Sequence, residues 1–152
     1  MDKHPIQQFI VHTLIKQAIT FEQESVSFYQ RAAEQVKKES SRTLLLSFAE
    51  EEQRHKQQLE QFLSNDLHQI IEGDMPVKPP DLAIDFELLH RKITSSESEK
   101  EIIELARMKE KASATFYQLL AQRTKIHSAK QVFIYLAQQE QSHLNKLETE
   151  IQ

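Results

Sequence analysis

Two Glu-x-x-His pairs, Glu52/His55 and Glu140/His143, stand 88 residues apart, and two more glutamates, Glu22 and Glu110, repeat at the same interval. The same gapless shift lays Ala18, Ser25, Phe28, Tyr29 and Gln30 on Ala106, Ser113, Phe116, Tyr117 and Gln118. Further on it lays Ala49, Gln53, Leu59 and Glu60 on Ala137, Gln141, Leu147 and Glu148. Carboxylate oxygens and imidazole nitrogens are the donors that first-row divalent metals accept. Four carboxylates and two imidazoles in one internal repeat therefore make a ligand set for two metal ions, of a composition that suits iron, manganese or zinc. One such pair alone would mean little: 18 glutamates and seven histidines in 152 positions yield about 0.8 of them by chance. A third pair, Glu87/His90, has no counterpart at the 88-residue shift and is read as that chance occurrence.

These residues need helices to position them. The chain has one glycine, Gly73, and four prolines, three of them (Pro76, Pro79, Pro80) in one short stretch. Sheets and tight turns draw on both residues while helix interiors avoid them, so the domain is expected to be all-α. Helical periodicity runs over about 5–38, 41–72, 97–124 and 128–151. Pro5 suits the first turn of a helix, and Ser96 with Glu99 has the form of a capping box opening the third. Short turns then make two antiparallel hairpins, 5–72 and 97–151, joined by a crossover at 73–96 in which 85–93 can form a short helix. One long crossover between two hairpins gives a four-helix bundle within a single domain, 1–152.

Each candidate ligand lies in an apolar stripe. On the second helix Leu45, Glu52 and Leu59 share one row, and Phe48, His55 and Phe62 another. On the fourth the rows are Phe133, Glu140, Leu147 and Leu136, His143. Glu22 lines up with Ile15, Ala18, Val26 and Tyr29, and Glu110 with Ile103, Ala106, Ala114 and Tyr117. Four buried carboxylates are prohibitive as bare charges, and these stripes offer no lysine or arginine. Two divalent cations balance them, four charges against four. Tyr29 and Tyr117 follow their glutamates by two turns; each phenol either bonds a carboxylate on another helix or serves as a core tyrosine reaching any acceptor. In the run Glu50–Glu52, Glu52 alone is expected to face inward. His4, His12, His68, His90 and His127 are expected at the surface or boundary.

The absence of cysteine excludes disulfides, thiolate zinc sites and cysteine-ligated clusters within these residues. No run reaches the ~20 apolar residues that span a bilayer, and the apolar stretch Phe9–Ile15 lacks a signal-peptide cleavage site. A cytoplasmic protein without membrane is the simplest expectation. A net charge of −4 with scattered lysines disfavours nucleic acid as a partner. Apolar residues at helix starts, such as Ile6 and Phe9, leave room for a homodimer.

The six-residue pattern, over nearly the whole chain, resembles the rubrerythrin-like branch of the ferritin-like superfamily, whose ligand arrangement is a standard description of di-iron carboxylate bundles. The resemblance implies a ferritin-like fold with Glu22 and Glu110 as terminal carboxylates, Glu52 and Glu140 as bridges, and His55 and His143 as nitrogen ligands. It also implies iron as the metal, peroxide or dioxygen as the oxidant, and an external electron donor. Two departures stand out. Full-length rubrerythrins carry a cysteine-ligated rubredoxin domain, and these residues hold no cysteine; they also carry an extra glutamate three residues after the third-helix ligand, where this chain has Ser113. The pattern is thus nearer a symmetric six-ligand core. Three activities are open: an oxidoreductase reducing peroxide or dioxygen, iron binding and oxidation without multiple turnover, and a bundle whose metals are structural.

Overall fold

The computed structural model describes residues 4–65 and 86–151, with the backbone alone for 4–10, 86 and 151. Among the described residues there are five helices: α1 His4–Gln35, α2 Glu39–Asn65, α3 Phe86–His90, α4 Glu99–Arg123 and α5 His127–Ile151. No strand occurs among the described residues. The all-α, ferritin-like expectation holds: α1 with α2 and α4 with α5 form the two hairpins. Positions 66–85, which include the end of the expected second helix, His68 and the proline cluster, lie outside the described residues, as do the side chains of His4, Ile6 and Phe9.

The hairpin turns are made by side chains rather than by glycine. At the α1–α2 turn, Arg42 Nε donates to Ala33 O at 3.2 Å and its terminal nitrogen to Val36 O at 2.8 Å, satisfying carbonyls left open at the end of α1. The Glu99 carboxylate accepts from the backbone N–H groups of Lys37 and Lys38. This single residue caps the start of α2 and fastens the start of α4 beside it. For that reason the capping box sits two residues later than Ser96/Glu99. Ser98 is the N-cap of α4; its hydroxyl accepts from Glu101 N, and the Glu101 carboxylate accepts from Ser98 N. Both pairs satisfy the same motif, and Glu99 is engaged elsewhere.

These ties also set direction. The start of α4 meets the end of α1, while Glu150 near the end of α5 accepts from Ser40, Ser41 and Lys38 at the start of α2. The repeat-related helices α1/α4 and α2/α5 are therefore antiparallel. α2 runs about 40 Å at 1.5 Å per residue, so it ends far from where α4 begins, the topology that requires a long crossover. The short helix α3 is narrower than the 85–93 expected for it. It packs on α1 and α4 through Leu89, and His90 Nδ1 lies 2.6 Å from Glu24 Oε2.

The apolar core falls into two parts. One, around Ile15, Phe21, Leu59, Phe116 and Phe133, fills the end where α2 finishes. The other, around Tyr29, Phe48, Ile102, Ala106 and Leu147, fills the end where α4 starts. Between them lies a buried polar layer containing Glu22, Glu52, His55, Glu110, Glu140 and His143.

Candidate metal centre

Every one of the six residues is at most 3% exposed. Each helix of the bundle delivers its share at one height: Glu22 from α1, Glu52 and His55 from α2, Glu110 from α4, Glu140 and His143 from α5. In each Glu-x-x-His pair the two side chains leave the same helix face one turn apart. Antiparallel packing then brings the four helices' contributions together. Glu22, Glu52, His55 and Glu140 form one cluster, and Glu52, Glu110, Glu140 and His143 a second, with the donor atoms of each cluster within 4.8 Å of one another. Glu52 and Glu140 belong to both. Within the clusters His55 Nδ1 lies 3.1 Å from Glu140 Oε1 and 3.7 Å from Glu22 Oε2, and His143 Nδ1 lies 3.0 Å from Glu52 Oε1 and 3.4 Å from Glu110 Oε1.

Proximity is not satisfaction. Among the described residues, seven buried side-chain N or O atoms have no hydrogen-bond partner, and six of them are one atom from each of these residues: Glu22 Oε2, Glu52 Oε1, His55 Nδ1, Glu110 Oε2, Glu140 Oε1 and His143 Nδ1. The seventh, Gln17 Oε1, belongs to neither cluster. Buried polar atoms without partners cost on the order of 1–3 kcal/mol each, so six converging on one spot call for a missing positive partner. Two cations bound to mixed oxygen and nitrogen donors fit that requirement.

The proton affinities carry the same message. Burial raises Glu22 and Glu140 well above the ordinary carboxylate range, and neighbouring carboxylates raise them further. Burial alone would do the same to Glu52, but the adjoining Glu22, His143 and His55 groups hold it well below. Burial would lower both imidazoles, yet the surrounding glutamates push His143 up to about 12 and His55 also far above the usual histidine value. The crowded negative charge thus favours proton retention on Glu22, Glu140 and both imidazoles.

The tyrosines tie the halves together. Tyr117 Oη donates to Glu22 Oε1 at 2.6 Å, and Tyr29 Oη donates to Glu110 Oε1. Each phenol on one hairpin thus orients the α1 or α4 carboxylate of the other. Burial, reinforced by the nearby glutamates, raises both phenols well above their usual range, so they remain donors. Phe48 stacks on the His143 ring, with centroids 4.2 Å apart.

Two residues depart from the sequence reading. Glu51, expected on the solvated face, bonds His143 Nε2. Lys109 is buried, although a buried cation was not expected; its Nζ donates to Leu89 O and lies 5.3 Å from the centre of the Phe28 ring. It anchors α3 to the bundle rather than neutralising the clusters, and burial lowers its pKa despite the carboxylates nearby. The Glu87/His90 pair joins neither cluster; Glu87 is exposed and His90 pairs with Glu24 on α1. His12 is half-buried and His127 exposed.

No helix among the described residues is long and apolar enough to cross a membrane. The chain matches no curated protein. A solved structure of a hypothetical protein from Pyrococcus furiosus is similar over 93% of this chain and 87% of its own, with 28% identity and a TM-score of 0.65. The family model described as Rubrerythrin matches residues 13–151, which take in all six clustered groups and both tyrosines. The chain belongs to the rubrerythrin family.

Proposed function

We propose that this protein is a non-haem di-iron oxidoreductase that reduces peroxide or dioxygen with electrons from a separate donor. The observation that carries this reading is the set of six buried donor atoms without partners, arranged as two clusters that share Glu52 and Glu140. Glu22, Glu52, His55 and Glu140 would hold one ion, and Glu110, Glu140, His143 and Glu52 the other. The chemistry that two ferrous ions would bring to these residues is one electron each for the reduction of the oxidant. The chain's own groups do the rest. The shared carboxylates Glu52 and Glu140 would contact both ions, the apolar layers on either side exclude bulk water, and the two phenols hold the outer carboxylates in place. These residues hold no cysteine to relay electrons, so the electrons would come from a donor outside them. The test is peroxide consumed per two-metal site, with and without a chemical electron donor. More than one equivalent with the donor supports the reading; failure to bind two metals per chain overturns it.

A second reading, oxidation of ferrous iron once with the metal retained or passed on, is favoured by Ser113, which stands where the family's additional glutamate is expected. It predicts one equivalent of oxidant whether or not a donor is present. A purely structural role for the metals predicts no consumption at all.

A further inference from the structure

The two halves of the centre are not supported alike. His143 presents Nδ1 to its cluster and gives Nε2 to Glu51. A neutral imidazole that binds metal through one nitrogen must carry its proton on the other, and a carboxylate acceptor there fixes both tautomer and ring orientation while making the ligand more basic. The remaining Glu51 oxygen faces Arg54 at 3.9 Å, and the ring is further held by the stacked Phe48. The 88-residue repeat gives the matching positions for the His55 half. Position 51 becomes Gln139, position 54 becomes Ser142 and position 48 becomes Leu136. In the other half the carboxylate, its basic neighbour and the stacking ring are all replaced by neutral or non-aromatic residues, while the six clustered residues themselves are conserved between the halves.

We propose that Glu51 acts as a positioning residue for His143 and makes the two metal positions unequal, the one formed by Glu110, Glu140, His143 and Glu52 filling first. The inference rests on the two-metal reading above and adds an order of filling to it. Partners of this kind are worth about 10–100-fold in metal affinity, which sets the expected gap between the two binding steps.

The experiment is a titration of the metal-free, full-length protein with cobalt(II), followed by visible absorption and calorimetry. The wild type should bind two equivalents in two resolved steps at least about tenfold apart. Glu51→Gln should weaken the tighter step by about 10–100-fold and leave the other, so that the steps merge. Gln139→Glu should strengthen the weaker step, and it tests the same idea if Glu51→Gln does not fold. In a His143→Gln background, Glu51→Gln should have no further effect on binding, which a general structural role for Glu51 would not produce. Equal wild-type steps, or a Glu51→Gln effect spread over both steps, would overturn the inference while leaving the two-metal reading intact. Fewer than two equivalents bound by the wild type would remove the two-metal reading itself.

Discussion

Metal-free protein should become less stable as pH rises through the range where most proteins are indifferent. Unfolded, the two histidines titrate near 6.5; folded, the glutamates around them raise both, His143 to about 12. A raised folded-state value means that the stabilisation is complete below 6.5 and is lost as pH climbs toward the folded value. Glu22 and Glu140, also raised, act in the same direction from about 4.5 upward. Glu52 is lowered, so its contribution is complete above 4.5 and is lost only under acid. Between pH 7.5 and 8.5 the folded chain therefore holds two imidazole protons that the unfolded chain has released. Together the two contribute about 3 kcal/mol per pH unit. For a chain of this size that is a fall in Tm of about 5–10 °C. Circular dichroism melts in chelator at the two pH values measure it directly. Bound metal must displace those protons, so the gain in Tm on adding metal should grow across the same interval. A chelated protein whose Tm is flat or rises from pH 7.5 to 8.5 would show that the clusters do not hold protons in place of cations.

Other consequences are more local. Tyr117→Phe removes the bond to Glu22 while keeping the ring, and should cost about 1–2 kcal/mol in urea denaturation of the metal-free protein. Ser98→Ala should cost about 1 kcal/mol by the same measurement, whereas Ser96→Ala should stay within about 0.5 kcal/mol; the reverse order would place the start of α4 wrongly. Lys109→Met keeps the buried stem but frees the Leu89 carbonyl. Hydrogen exchange in α3 should then quicken by about fivefold, equivalent to about 1 kcal/mol, with little change in α2 or α5.

The helices and the six clustered residues were legible because their physical signal is strong. A glutamate in an apolar stripe is costly enough to need a reason, and a gapless repeat of four glutamates and two histidines supplies one. The bundle topology followed from the same repeat together with the proline-rich interval. Glu51 was hidden because it sits one residue, about 100° of helix, from Glu52 and so at the edge of the buried face. Whether an edge position meets solvent or a neighbouring helix depends on how the helices cross, which periodicity does not encode. Lys109 was hidden for a related reason. Its long stem lets a residue beside the apolar stripe lie along the core and deliver its charge to a carbonyl of α3. The start of α4 was misplaced because Ser96-x-x-Glu99 and Ser98-x-x-Glu101 are equivalent as local patterns. Only the long-range engagement of Glu99 with the α1–α2 turn separates them.

Each hairpin supplies three members of one cluster and lends its shared carboxylate to the other. Two identical hairpins docked about a twofold axis could build both clusters, but every substitution in such a pair would appear twice. Joining the hairpins in one polypeptide lifts that constraint: an acid can stand at 51 while an amide stands at 139. Covalent fusion thus gives the protein a freedom that symmetry would deny it, to tune one ion's surroundings without altering those of its neighbour.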